Sequence, residues 1–305
     1  KLDALLNQFT PERNFVVLLV NDPVPGGSDG GGKIAVAARG SYQFVSHESG
    51  HVLAGLGDEY TTAYPGYPDA EEPNTTRETQ RDSIKWKAWI NADTPLPTPP
   101  TQVYANSVGL FEGAHYHSTG WYRPKLDCAM RSMEVPFCEV CSEALVLAFY
   151  QFVRPVDSHE PSDLNLSVTL PSPLAFALQT VPISGTPLEI QWLTNSVLPA
   201  TGTAPVFSLD PGLLGNGMHT VTARVHDPTA RVRTDSENLL TQTITWTVHV
   251  NLARLQLDGR LPPGHFPGEQ IHGQRAHGQP GGFGGVGGPA DQRLDPGQQF
   301  GRASC

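Results

Sequence analysis

Two short apolar runs lead the pattern of the chain. Phe15-Val16-Val17-Leu18-Leu19-Val20 and Ile34-Ala35-Val36-Ala37-Ala38 are rich in branched residues and bounded by polar or glycine-containing segments, so they predict buried strands. Ser41 then reads as a helix N-cap. Phe44, Val45, Val52 and Leu53 supply the apolar positions of that helix, and Gly55 ends it in a left-handed cap. From Tyr60 to Gly113 the pattern dissolves. Pro65, Pro68, Pro73, Pro95, Pro97, Pro99 and Pro100 break any long element and predict a loop-rich insertion. Loops on a rigid scaffold commonly shape a substrate cleft. Trp86 and Trp89 either line that cleft or, as the favoured use, pack the insertion onto the domain. Ala144, Leu145, Leu147, Ala148, Phe149 and Phe152 predict a closing helix from about Cys141 to Val153.

Arg154 to Pro161, with two prolines, reads as a linker. Beyond it the period changes. Leu166–Leu170, Leu188–Leu193, Val221–Val225 and Thr243–Val250 are short alternating or β-branched segments between turn residues. Such spacing predicts a small antiparallel β-sandwich of immunoglobulin-like shape, with Trp192 and Trp246 in its core. Residues 251–305 hold 13 glycines and 6 prolines among 55 residues, a composition expected of a disordered tail. The division is therefore 1–155, 163–250 and 251–305.

Charge narrows the partners. With 30 acidic and 20 basic residues, the net charge of -10 argues against nucleic acid, which requires a basic footprint. No apolar run approaches the ~18 residues of a membrane-spanning helix. The chain starts at Lys1 without an initiator methionine, which implies an upstream region that has been removed or is missing. Oligomeric state is left open.

Chemistry concentrates at His47-Glu48-Ser49-Gly50-His51, a His-Glu-x-x-His pattern on the predicted helix. Residues four apart lie one turn above each other, so His47 and His51 can offer ring nitrogens to one zinc ion. Glu48 then sits beside the metal as a general base. A third ligand belongs just after the helix. Asp58 stands three residues past Gly55, the step used by metzincin proteases, and aspartate is an acceptable zinc ligand. Glu59 is the neighbouring alternative.

At this point the chain resembles the IgA peptidase family of zinc metallopeptidases. The resemblance is carried by His47–His51, by Gly55-Leu56-Gly57-Asp58-Glu59-Tyr60, and by Cys128-Ala129-Met130-Arg131-Ser132-Met133. It continues through Pro136-Phe137-Cys138-Glu139-Val140-Cys141. The glycine cluster from Asn21 to Gly32 and Ile84–Trp89 add to it, and the whole covers roughly Phe15–Val153. It implies an α/β (α+β) metzincin-like zinc protease domain with a mixed sheet and an active-site helix, ahead of the all-β region and the tail. It implies one catalytic Zn2+ held by His47, His51 and Asp58, and a protein or peptide substrate; it does not imply that the substrate is immunoglobulin. It implies a Met-turn, a methionine forming a floor beneath the ligands, with Met130 the candidate and Met133 its competitor. A metzincin-like domain also places a strand and a long helix before Phe15, of which only Leu2–Phe9 could be the end. Ser132 stands where some metzincins carry a metal-contacting tyrosine, so Tyr116 and Tyr122 are considered for that role by position.

Four cysteines are present, Cys128, Cys138, Cys141 and Cys305. Cys138-x-x-Cys141 lacks a second pair to complete a four-cysteine zinc site. A disulfide from Cys128 to Cys138 or Cys141 is expected instead, which would place the protein outside the cytoplasm, secreted or extracytoplasmic. His115-Tyr116-His117 is read as a loop, at the surface or touching substrate, ahead of a second metal site. The cluster Gly26–Gly32 lacks a phosphate-loop pattern and is expected to turn the chain beside the cleft.

These features describe a secreted zinc metalloendopeptidase. Two rivals remain at the level of sequence. One is an inactive protease-like binding protein working through its β-sandwich, which retention of the base Glu48 argues against. The other is a zinc hydrolase acting on a non-peptide amide.

Overall fold

The structure, a computed structural model, describes residues 1–30 and 34–253. The expected tail of 251–305, with His265, His272, His277 and Cys305, lies almost wholly outside them. The described chain is mixed α and β, with several sheets and few helices.

Helix α1 (Leu2–Phe9) buries none of its residues. A three-stranded sheet follows, made of β1 (Val16–Val20), β2 (Gly27–Asp29) and β3 (Ile34–Ala38), in the order β1-β3-β2. β1 runs parallel to β3 and β2 antiparallel to it, so the sheet is mixed. β3 alternates as a half-buried strand should, with Ala35 and Ala37 buried. β1 does not match its expectation. Val17, Leu18, Leu19 and Val20 are all exposed, Leu19 at 70 %. The reason is position: the main element contact of β1 is with β3, and an apolar run cannot reveal whether another layer covers its faces.

Helix α2 (Tyr42–Ala54) lies against β2 and β3 and carries the histidine motif. Ser41 is its N-cap residue, although the Ser41 hydroxyl accepts from the Gly26 amide, at 3.3 Å, rather than from the helix. Gly55 closes the helix in the left-handed conformation (φ 62°), which glycine adopts without steric cost. Beneath α2, Met130 is fully buried, while Met133 is not. Gly50 makes the close approach possible: a Cβ there would stand 2.8 Å from Met130 Sδ and 3.1 Å from Leu56 Cδ1. Gly50→Ala sets two effects against each other. Helix propensity favours alanine by up to ~1 kcal/mol, whereas overpacking a filled core costs about 1–3 kcal/mol. With Met130 enclosed, the clash should win, and the urea midpoint should fall. An unchanged or higher midpoint would show that Met130 has room to move.

The insertion from Tyr60 to Gly113 is loop-rich, as expected, and packs by its tryptophans. Trp86 is buried and donates from Nε1 to Gly109 O at 2.8 Å; Trp89 donates to Glu143. Strands β4 (Phe111–Ala114) and β5 (His117–Arg123) then form a hairpin, and α3 (Glu139–Tyr150) packs against α2.

The β region begins earlier than its sequence suggests. Val156–Glu160, expected within a linker, is strand β6. It joins β8 (Leu174–Thr180) and β11 (Val206–Leu209) in one sheet, order β11-β8-β6. A five-stranded sheet, order β10-β9-β12-β13-β7, comprises β7 (Asn165–Val168), β9 (Glu189–Thr194), β10 (Val197–Gly202), β12 (Gly217–His226) and β13 (Thr241–Val250). β7 pairs with β13 in parallel, so the arrangement is not purely antiparallel. Trp192 and Trp246 are in its core with Phe176.

This region is tied to α3. Tyr150 donates to Asp227 Oδ2 at 2.6 Å, and Glu143 Oε1 accepts from the Arg233 and Thr234 amides at 3.2 and 2.8 Å. The Arg233 guanidinium lies over the Trp89 ring, 4.1 Å from its centroid. Cys128, Cys138 and Cys141 are free, buried thiols, with 3.6 Å between the sulfurs of Cys128 and Cys141. The expected disulfide is not formed, and with it goes the cysteine argument for an oxidising compartment.

Candidate active site

One helical turn and one tight loop bring His47, His51 and Asp58 together. The imidazole Nε2 atoms are 3.1 Å apart, and Asp58 Oδ1 is 3.1 Å from His47 Nε2 and 3.4 Å from His51 Nε2. Each histidine turns its other nitrogen to a backbone carbonyl. His47 Nδ1 faces Ala129 O at 2.8 Å and His51 Nδ1 faces Leu56 O at 2.6 Å. A carbonyl only accepts, so both Nδ1 atoms carry the proton and both Nε2 atoms present lone pairs. Three electron-rich atoms therefore converge, and Asp58 Oδ1 is buried with no hydrogen-bond donor.

That arrangement is unfavourable unless a cation fills it, and its dimensions fit one. Ligand atoms about 2.0–2.1 Å from a tetrahedral zinc ion stand about 3.3 Å from one another, against 3.1, 3.1 and 3.4 Å here. The carbonyls behind the imidazoles supply the outer support typical of metal-binding histidines.

The electrostatics agree. Burial alone would raise the pKa of Asp58, but the His47 and His51 imidazoles beside it and the Tyr116 hydroxyl overcome it and hold the carboxyl well below its usual range. Burial opposes the charged form of His51, yet Asp58, the Leu56 carbonyl and Glu48 outweigh it and raise the pKa above the usual 6.5. Metal binding requires neutral imidazole. Protons should therefore compete with the metal as pH falls through the raised His51 value, so the apparent affinity should weaken on acidification. A chelator competition between pH 8 and 5.5 checks the sign; affinity independent of pH across that range would contradict it.

Glu48 is buried on the cleft side of α2. Gly27 of β2 allows it: a Cβ there would lie 2.8 Å from Glu48 Oε1 and from Phe44 Cβ. This is the close backbone approach that part of the glycine cluster serves; Gly31 and Gly32 lie outside the described residues.

The β4–β5 turn delivers Tyr116. His115 and Tyr116 both have positive φ, 54° and 59°, a conformation costly for non-glycine residues. The turn is held by His115 N donating to Asp58 O at 2.9 Å and Tyr116 N to Tyr60 O at 2.8 Å. The Tyr116 hydroxyl donates to Asp58 Oδ2. Burial, then Asp58, raises its pKa, so it stays protonated. Tyr60 stacks on His47 with centroids 6.0 Å apart, and burial followed by the charges of Asp58 and Glu48 pushes its phenol up to about 12. Tyr122 is not at the cleft; its backbone pairs with Thr76 and its ring packs on the core. His115 and His117 do not share a metal site. His115 is buried, bridges Glu72 Oε2 and Pro68 O at 2.9 Å each, and stacks on Trp121. It is a strut for the turn, not an exposed loop residue.

Asp58 and Glu59 point to opposite sides. Glu59 is fully buried and accepts from Asn74 Nδ2 at 3.0 Å. Asn74 also binds both backbone groups of Gly57, at 2.7 and 2.9 Å, and so pins the segment that aims Asp58. Asn74 and Glu72 escaped the sequence reading, because nothing in a proline-rich insertion marks one asparagine or glutamate as a clamp. The cleft, about 630 Å³, is lined by Gly27, Ser28, Glu48, His47, His51, Asp58 and four tyrosines, among others.

The model of the IgA peptidase M64 family matches residues 3–104 and 100–149, the stretch that carries every one of these side chains. Residues 3–149 are recognised as an IgA peptidase M64 region. The M64 half is thus that of a peptidase from a metallopeptidase family, which acts on protein. No curated protein matches the chain. Among solved structures, fibronectin(III)-like modules of Clostridium thermocellum CbhA match at 13 % identity and a TM-score of 0.23, over 32 % of this chain and 98 % of that chain; so slight a likeness carries no argument. Among the described residues, no helix is long and apolar enough to cross a membrane.

Proposed function

We propose that this M64 protein is a zinc metalloendopeptidase with a metzincin-like site, in which His47, His51 and Asp58 hold the metal and Glu48 is the general base. The observation that supports this best is the trio of lone-pair-bearing atoms 3.1–3.4 Å apart around a buried, unsatisfied Asp58 Oδ1. Bound zinc supplies Lewis acidity, polarising a carbonyl and acidifying water at neutral pH.

The chain's own groups do the rest. Glu48, next to His47 and facing the cleft, takes a proton from the attacking water and returns it to the leaving amine. Tyr116 fixes the second oxygen of Asp58, leaving Oδ1 to face the histidines. The Tyr60 phenol remains protonated, so it can donate to an oxygen that gains charge. β2 is an edge strand beside Glu48, and an extended peptide can pair with such an edge. A second hollow, sharing Tyr60, Tyr64 and Tyr116 and lined by Arg131 and Ser132, continues the path. A substrate with several residues on each side of the cut suits this open geometry better than a terminal residue does.

The test is incubation of a broad protein mixture with the full chain, with and without a chelator, followed by mass spectrometry of new termini. Chelator-sensitive internal cleavage is expected. Removal of terminal residues alone, or cleavage indifferent to the chelator, would overturn the reading.

A further inference from the structure

Cys128, Cys138 and Cys141 do not line the cleft and serve no step of its chemistry, yet all three are buried and their sulfurs lie within 4.8 Å of one another. The Cys128 and Cys141 sulfurs are 3.6 Å apart. That is far beyond a disulfide bond of about 2.05 Å and close to the roughly 3.8 Å between two sulfurs on a tetrahedral zinc ion with 2.3 Å bonds.

Glu59 stands beside the group, next to Cys141. Glu59 Oε1 is 3.9 Å from Cys141 Sγ, where a tetrahedral site puts sulfur and oxygen about 3.6 Å apart. Glu59 is fully buried, and its Oε2 has no hydrogen-bond partner. Such a carboxylate needs a cation or a donor nearby. The surroundings also suit thiolates. Cys138 is the N-cap of α3 and Cys141 lies in its first turn, where the helix dipole favours negative charge. The Cys138 amide points at Cys128 Sγ, at 3.2 Å. Arg131 donates to Glu59 O at 2.8 Å, which keeps a positive charge beside a site with more anionic ligands than one divalent ion balances.

We propose that Cys128, Cys138, Cys141 and Glu59 form a second, structural site for a zinc-like divalent cation. Four protein ligands with no open position mark a structural rather than a catalytic centre. The ion would tie three segments together: the loop carrying Ala129 and Met130, the start of α3, and the Asp58–Glu59 segment. Ala129 O orients His47, and Glu59 N donates to Met130 O at 2.9 Å. The second ion would therefore brace the floor and one wall of the first site. The proposal does not depend on the peptidase reading.

Metal content of the full chain, measured by native mass spectrometry after zinc loading, tests it. Wild type should hold about two zinc ions, and His51→Ala should lose one and keep the other. Glu59→Ala and Cys138→Ser should each lose the other. Should those two variants fail to fold, the wild-type chain still decides. Cobalt(II) in place of zinc should give sulfur-to-metal charge-transfer absorption in wild type and in His51→Ala alike. Unreduced, denatured protein should show all its thiols free. A disulfide among the three, or a single ion with no sulfur–cobalt absorption, would overturn the proposal.

Discussion

Glu48→Ala should lower peptide cleavage by about 10²-fold or more, the usual scale for losing a positioned general base, while the metal stays bound. The two outcomes separate because Glu48 is not one of the three converging donors; those are His47, His51 and Asp58. The side chain faces the cleft beside Gly27, so its removal opens space at the edge strand rather than inside the core. Steady-state cleavage of a peptide substrate together with the zinc content of the same preparation reads both halves. Near wild-type turnover in the metal-loaded variant would remove Glu48 from its role.

Asp58→Ala should produce the larger loss of metal. It removes a direct donor, so zinc affinity at the histidine pair should fall by more than the roughly 10–100-fold typical of an outer partner. Glu59→Ala should spare that site, because its carboxylate turns to Asn74 and the cysteines on the opposite side of the segment. A competition titration with a zinc chelator on both variants, in the Cys138→Ser background so that one site reports, distinguishes them. The reverse order, with Glu59→Ala emptying the histidine pair and Asp58→Ala retaining it, would exchange the two assignments.

How much of this was legible in the chain depends on the distance over which each feature is determined. The helix of His47 and His51 is local: apolar positions at helical spacing and Gly55 as a left-handed cap are properties of consecutive residues. So is the alternation by which Asp58 and Glu59 face opposite ways. The exposure of β1 is not local, since only the assembled fold shows which faces of a strand another layer covers. Val156–Glu160 lies beside prolines and reads as a linker, but it finds a partner strand in β8, whose sequence begins at Leu174. The Tyr116 role was open between two tyrosines. The β4–β5 turn brings the Tyr116 hydroxyl to Asp58, whereas the Tyr122 ring packs on the core. The cysteines show the limit most clearly: the motif lacked a fourth cysteine, and the carboxylate that the fold brings beside Cys141 is a glutamate far upstream.

The most direct test of the central claim is anomalous scattering at the zinc edge from crystals of the zinc-loaded chain. The account requires a peak among His47 Nε2, His51 Nε2 and Asp58 Oδ1, with the Glu48 carboxylate beside it and free of it. No peak at that position, or one held by the histidines with Glu59 in place of Asp58, would contradict it.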